Sequence, residues 1–190
     1  MVRGPWSVAC HNRCVIEREI KLSFPSVAEA RAALEAAGAE PHAPRRLQED
    51  ILYDTAGKML FAGRSLLRLR RDGTRTVVTF KGPVTAGAMK SRDEIESGVD
   101  DGDAFAAILA ALGFRQWWRY QKYREEFRAE GVVAAIDETP AGVFVEIEGE
   151  EEGIADLARR LGRSPSDYIL DSYHAVWVKA KGQDPGNMIF

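Results

Sequence analysis

The chain has 190 residues, of which 45% are hydrophobic and 29% charged, and it carries a net charge of −3 with a pI near 5.7. This is globular composition in a length that buries one sizeable core, and the mild acidity argues against a nucleic acid partner. No apolar run reaches the about 20 residues that cross a bilayer, and "MVRGPWSVACHNRC" lacks the apolar segment of a secretory signal, so no membrane partner and a cytoplasmic location are expected.

In chain order, residues 1–13 read as an irregular segment. Cys10 and Cys14 flank His11, but a zinc site needs four ligands, and only His42 and His174 remain as further histidines. Two reduced thiols near a loosely held terminus are the expectation. A strand follows at 14–22. Ser26 and Glu29 form a capping box for an Ala-rich helix ending near Gly38, placed at the C′ position. "EPHAPRR", with two prolines, reads as a loop, 47–54 as a strand and "TAGKMLFAGR" as a linker. "SLLRLRRDGTRTVVTFKGP" places Asp72-Gly73 between two alternating segments, a hairpin signal. After the loop "VTAGA" come a strand at 89–99 and a helix whose apolar face is Phe105, Ile108, Leu109 and Leu112. A long strand at 116–129 precedes a hairpin formed by "VVAAIDET" and "GVFVEIEGE". "EGIADLARRLG" is a helix, "SPSDYILDSYHAVWVKAKG" one or two short helices, and 182–190 a polar tail. About eight strands with mostly hairpin connections predict an α+β fold with a largely antiparallel sheet, as a single domain over 14–181.

The two-residue period of a strand sorts its side chains onto two faces. Glu17, Glu19 and Lys21 share one face, against Ile16, Ile20 and Leu22 with Arg18 among them. Arg68 pairs with Arg70, Thr79 with Lys81, Arg92 with Glu94 and Glu96, Lys122 with Arg124, and Glu146 with Glu148, with Asp137 across a short turn. Any single face of this kind is ordinary for an antiparallel sheet with one wet side. The combination is not ordinary, because like charges two residues apart repel unless opposite charges lie between them. A sheet closed on itself resolves this: charged faces turn into a wet lumen and apolar faces turn out under helices at 26–38, 103–114 and 153–162. Many arginines and lysines suit a polyanion, Arg matching phosphate through its planar fork. Carboxylates beside them suit Mg²⁺ or Mn²⁺, hard cations that bridge to phosphate oxygens.

Glu17-x-Glu19-x-Lys21 matches the ExExK signature, and "LLRLRR", "TFKGP", "SRDEIES", "RYQKYRE", "AAIDETPAGVFVEIEG" and "DSYHAVW" follow in order. On these blocks, spanning about 14–178, the chain resembles the CYTH proteins, the triphosphate tunnel metalloenzymes. The resemblance implies an eight-stranded antiparallel closed β-barrel with helices packed outside. It implies that Lys21, Arg68, Arg70, Lys81, Lys122 and Arg124 hold phosphate oxygens. Metal ligands would come from Glu17, Glu19, Glu94, Glu96, Asp137, Glu146 and Glu148, with Glu146 and Glu148 for the metal that enters with the phosphates and Glu17 and Glu19 for an activating one. Glu17, Glu19 and Lys21 would form the catalytic set. Arg92 and Arg119 are alternatives as partners of carboxylates, and Lys179 as a further contributor. One block departs from the family: Gln48 and Asp50 fit Gln-x-Asp-x-Tyr, but Leu52 stands at the tyrosine place and Tyr53 follows.

"LGF…RYQKYREEF" and "IDETPAGVFVEIEG" look most like the class IV adenylate cyclase branch, which makes cyclic AMP and pyrophosphate from ATP. The alternative is a triphosphatase acting on inorganic triphosphate, thiamine triphosphate or a nucleoside triphosphate. A non-catalytic polyphosphate or nucleotide binder would keep the cations and lose the metal-site carboxylates, which this chain retains. A homodimer is compatible with the sequence, although no residue points to it.

Overall fold

The computed structural model describes residues 15–85, 87–183 and 185–190, so the expectations for residues 1–13, Cys10 and Cys14 fall outside the described residues. Strands form where charged and apolar residues alternate: β1 (Val15–Phe24), β2 (Glu40–Thr55), β3 (Leu66–Asp72), β4 (Arg75–Lys81), β5 (Lys90–Val99), β6 (Phe114–Ala129), β7 (Val132–Thr139) and β8 (Gly142–Gly149). They close into an antiparallel barrel in the order β1-β5-β4-β3-β2-β6-β7-β8, with β8 pairing back onto β1. The helices are α1 (Val27–Ala36), α2 (Met59–Ala62), α3 (Gly102–Ala111), α4 (Glu151–Arg160) and α5 (Tyr173–Lys181). The fold is the expected α+β barrel with helices outside. Among the described residues no helix is long and apolar enough to cross a membrane.

The main core lies outside the barrel wall. Ile20, Leu22, Phe127, Ile136, Val145 and Ile147 turn outward and meet Leu34 of α1 and Ile154 and Leu157 of α4. Arg18, the one charge on that face of β1, reaches Glu150 and Glu151 at the start of α4. Helix α1 begins at the expected cap, but the box is only half made: the Ser26 hydroxyl accepts from Glu29 N at 3.2 Å, while the Glu29 carboxylate accepts from that hydroxyl at 3.1 Å in place of the Ser26 backbone N–H. Gly38, beyond its end, takes φ +78°, a conformation that glycine adopts without steric cost.

Four segments differ from the sequence expectation. Strand β2 begins at Glu40, not 47, and absorbs Pro41 and Pro44 through register shifts at Pro41/Ala43 and Ala43/Arg46, where a missing N–H is tolerated. The linker at 55–64 contains α2, which is held by Asp54: its buried carboxylate accepts from Leu60 N at 2.9 Å and Phe61 N at 2.8 Å. Helix α3 packs on Tyr53 and Leu69 through Phe105, Ala106 and Leu109 only, leaving Ile108 and Leu112 54% and 69% exposed. The last residues run along β6: Met188 N donates to Arg119 O at 3.0 Å, Gln121 N donates to Met188 O at 2.8 Å, and Met188 is fully buried.

Truncating the outer core therefore differs sharply from truncating the α3 rim. Leu157→Ala should cost about 2–5 kcal/mol, whereas Leu112→Ala should stay within about 0.5 kcal/mol. Urea denaturation checks both, and equal losses would contradict the packing described.

Candidate active site in the barrel lumen

The inward faces enclose a cavity of about 1070 Å³. Glu17, Glu19, Lys21, Arg68, Arg70, Lys81, Glu94, Glu96, Lys122, Arg124, Glu146 and Glu148 all line it. Asp137 sits behind this lining, fully buried. Closure places the strands in two opposed walls. Strand β1 is four strands from β2 in either direction around the barrel. One wall, β8-β1-β5, carries Glu146, Glu148, Glu17, Glu19, Glu94 and Glu96. The facing wall, β3-β2-β6, carries Arg68, Arg70, Lys122 and Arg124.

Ion pairs knit the walls. On the acidic side, Lys81 bonds Glu17 and Glu94, the latter at 2.9 Å, and Arg92 Nε lies 3.3 Å from Glu17. Lys21 lies 3.2 Å from Glu19 and 3.1 Å from Glu146, and Lys90 bonds Glu19. On the basic side, Asp50 accepts from Arg70 Nε at 2.8 Å and Nη2 at 3.2 Å, with Arg68 Nε 3.4 Å away. Asp137 accepts from Lys122 at 2.7 Å, from Arg124 Nε and Nη2 at 2.7 and 2.6 Å, and from Tyr173 Oη at 2.7 Å. Arg124 also bonds Glu146. The Tyr173 ring lies 5.2 Å from both Lys21 Nζ and Lys122 Nζ.

The titration tendencies divide the carboxylates into two groups. Burial opposes ionisation of Glu19, but Lys21 and Lys90 outweigh it and hold Glu19 well below the usual range. Burial is likewise overcome at Glu146 by Lys21, Lys122 and Arg124, and at Asp50 by Arg70 and Arg68, which bring it to about 2. Glu17 and Glu148 go the other way. Burial, then Glu19, raises Glu17. Burial, then Glu17, pushes Glu148 up to about 7, although its side chain remains open to the lumen's solvent. Glu148 stands directly across the strands from Glu19, a like-charge pairing that destabilises unless a cation intervenes. Burial lowers Lys90 and Lys122 to about 8 despite their carboxylate partners.

The donor set fits a divalent metal. Among the described residues below the rim, eight cations (Lys21, Arg68, Arg70, Lys81, Lys90, Arg92, Lys122, Arg124) are matched by eight carboxylates (Glu17, Glu19, Asp50, Glu94, Glu96, Asp137, Glu146, Glu148). The lattice is formally neutral, so a polyanion entering it needs positive charge brought with it. No three His, Cys, Asp or Glu side chains among the described residues form a ready-made metal cluster. The carboxylates are drawn instead to lysines and arginines, except Glu148, which has no ion pair or hydrogen bond among them. Oxygen donors crowded together, with one of them lacking a cation, are the chemistry that Mg²⁺ or Mn²⁺ prefers.

Four lumenal residues were missed from the sequence. Lys90 continues the alternation of Arg92, Glu94 and Glu96 by one step, so the signal was present. Asp50 was read as a motif position and not as the buried anion beneath two arginines. Tyr120 and Tyr173 have no charge pattern to reveal them. Leu52 faces the lumen, while Tyr53 packs outside on Leu69. Arg119 bonds Glu49, and Lys179 bonds Asp171 on the exposed rim.

The CYTH domain profile matches residues 15–173. A Methanocaldococcus jannaschii protein, provisionally named an adenylate cyclase, is 30% identical over 92% of this chain and 94% of its own length. A Pyrococcus horikoshii structure is 25% identical, covers 84% of this chain and 98% of that one, and superposes with a TM-score of 0.73. A Hippeastrum structure is 21% identical, covers 86% of this chain and 95% of that one, and has a TM-score of 0.64; it is provisionally called an adenylyl cyclase and described as having a dominant triphosphatase activity.

The raised value of Glu148 sets the sign of a pH effect. In the unfolded chain this group ionises near 4.5, and in the folded protein near 7. The folded state thus binds the extra proton between these values, and its stability falls as pH rises through them. A divalent cation relieves that repulsion and competes with the proton. Mg²⁺ or Mn²⁺ should therefore raise Tm more at pH 8 than at pH 5.5, and Glu148→Gln should shrink the difference. Equal metal-induced shifts at both pH values in the unsubstituted protein would refute the assignment of Glu148 as a ligand.

Proposed function

The chain belongs to the CYTH domain family, and from that premise we propose a divalent-metal-dependent enzyme that cleaves a triphosphate substrate in its lumen, as a class IV adenylate cyclase-like catalyst converting ATP to cyclic AMP and pyrophosphate. The observation that carries this reading is the neutral lattice split into an acidic and a basic wall. A binder of polyphosphate alone would need only the basic wall.

Arg68, Arg70, Lys122 and Arg124 take the phosphate oxygens, with Lys21 and Lys81 reaching from the other side. Arg70 and Arg124 each use Nε and Nη2 on a buried carboxylate, leaving Nη1 without a protein partner among the described residues. Their forks are thus fixed before substrate arrives, and a fixed donor stabilises developing charge without reorganisation. Glu17, Glu19, Glu146 and Glu148 would hold the metal, with Glu94 beside them. When bound, the metal supplies charge for the phosphate oxygens and acidity for the attacking hydroxyl. Phosphoryl chemistry asks for in-line positioning and charge neutralisation more than for covalent help, which accords with a lumen rich in ionic groups.

Hydrolysis of the same substrates is the second reading. A lumen of 1070 Å³ leaves space for water beside the phosphates, and the ionic machinery serves either nucleophile.

Incubation with ATP or inorganic triphosphate and Mg²⁺ or Mn²⁺, followed by product identification, separates the readings: cyclic AMP with pyrophosphate, or orthophosphate. Tight binding without turnover would leave only a binder. Glu17→Gln should abolish turnover while the protein stays folded, because Lys81 keeps Glu94 at 2.9 Å. Arg70→Ala should lower kcat/KM on the order of 100-fold, about 2.7 kcal/mol of transition-state stabilisation. Full activity in both variants would remove the assignment.

A further inference from the structure

Strand β6 is longer than its partner on one side. It spans Phe114–Ala129, and β2 follows it from Phe114 to Arg128, but β7 pairs only with Tyr123–Ala129. The edge that β7 leaves needs other partners for its backbone groups. The segment 186–188 supplies them. Met188 pairs with Tyr120 in a parallel bridge: its N–H donates to Arg119 O at 3.0 Å, and its carbonyl accepts from Gln121 N at 2.8 Å. Trp118 Nε1 donates to Gly186 O and Arg119 N to Asn187 Oδ1, both at 2.9 Å. This segment is a strap fastened to β6 at Trp118, Arg119 and Gln121.

Met188 joins the strap to α5. Fully buried, it belongs to one cluster with Trp118 and Tyr120 of β6, Phe144 of β8, and Tyr173 and Trp177 of α5. Tyr173 and Trp177 are the buried residues of α5 and, four apart, share one helix face. The ring of Tyr173 lies 5.8 Å from Phe144 and 5.9 Å from Tyr120, centre to centre.

Its hydroxyl ends on Asp137, which is fully buried and already paired with Lys122 and Arg124. Charge balance calls for no further partner there, and an uncharged hydroxyl adds little attraction for phosphate. What it adds is a fixed direction. Asp137 Oδ2 accepts from Lys122, Arg124 Nη2 and Tyr173 Oη together, and Oδ1 accepts from Arg124 Nε. Four donors occupy the four or so lone-pair sites of a carboxylate. Three of those bonds lie within the β6–β7 pair, and only the bond from Tyr173 reaches in from another element. It is the outside point that stops Asp137 from turning and carrying Lys122 and Arg124 with it.

Building on the reading of the lumen as a site of triphosphate cleavage, we infer that Tyr173 is a positioning residue of the basic wall: through Asp137 its hydroxyl holds Lys122 and Arg124 where the reacting phosphate needs them, and the strap at 186–188 holds Tyr173.

Steady-state turnover of ATP and of inorganic triphosphate with Mg²⁺ by the full chain tests this, using the unsubstituted protein, Tyr173→Phe, Met188→Ala and the double variant. Tyr173→Phe keeps the ring and its packing and removes only the hydroxyl. Small displacements of aligned groups slow the reaction more than they weaken ground-state binding, so kcat should fall on the order of 10-fold or more while KM stays within about 3-fold. Met188→Ala should lower kcat in the same way, and the double variant should be no worse than Tyr173→Phe, because residues acting through one path are not additive. Asn187 is exposed, so Asn187→Ala probes the strap if Met188→Ala does not fold. A kcat unchanged in Tyr173→Phe, with or without a lower Tm, would overturn the positioning role. Losses that multiply in the double variant would overturn the link through the strap. No turnover of any triphosphate by the unsubstituted protein would bring down the lumen reading, and this inference with it.

Discussion

The structure depends on enclosing opposite charges together in one closed sheet. Buried ions are costly, and only partners with good geometry compensate for their desolvation. Here β1, β3, β5, β6 and β8 contribute charges at two-residue intervals, and the barrel's closure brings the neutralising charges from neighbouring strands: Lys81 of β4 lies between Glu17 of β1 and Glu94 of β5, and Lys21 of β1 lies between its own Glu19 and Glu146 of β8. No strand could hold its inward face alone. The outward faces are correspondingly free to be apolar, and α1 and α4 cover them.

Neutrality overall does not mean balance everywhere. Asp50 and Asp137 lie beneath the basic wall and anchor its guanidinium groups, so those arginines are positioned before any ligand arrives. Across the lumen burial, and after it the neighbouring carboxylates, raises Glu17 and Glu148. The molecule thus concentrates its unfavourable electrostatics on one side of the cavity and its fixed donors on the other.

Much of this was legible in the sequence because a strand's period is two. Alternation put Glu17, Arg68, Lys122 and Glu146 on charged faces, the need to neutralise like charges turned those faces inward, and the hairpin at Asp72-Gly73 fixed the β3–β4 pairing. What alternation does not carry is the order of strands around the barrel. That β2 lies between β3 and β6, opposite β1, follows from closure, and only closure makes an acidic wall face a basic one. Irregularities escaped for a related reason. The prolines of 40–46 read as a loop because a bulge leaves no periodic trace. Trp117 read as one more alternating residue, although the register shift gives it the same destination as Trp118. On α3 the helical spacing of Ile108 and Leu112 was correct, but the barrel beneath is curved and offers contact only to Phe105, Ala106 and Leu109.

Strand β6 joins the two halves of the cavity. Trp118, Tyr120, Lys122 and Arg124 follow one another along its inward face, from aromatic mouth to ionic floor. Each step of two residues advances about 6.8 Å, so a ring held at Trp118 and a phosphate held at Lys122 stand in a set relation. A ligand anchored at both ends would have no freedom to slide, and its span would decide which of its groups reaches the carboxylates of β1 and β8. The ionic residues themselves do not distinguish the α-phosphate from the terminal one. On the proposed function, the choice between cyclisation and hydrolysis would be one of depth: the same acidic wall would meet a ribose hydroxyl beside the α-phosphate, or water beside the γ-phosphate, according to how far a triphosphate descends.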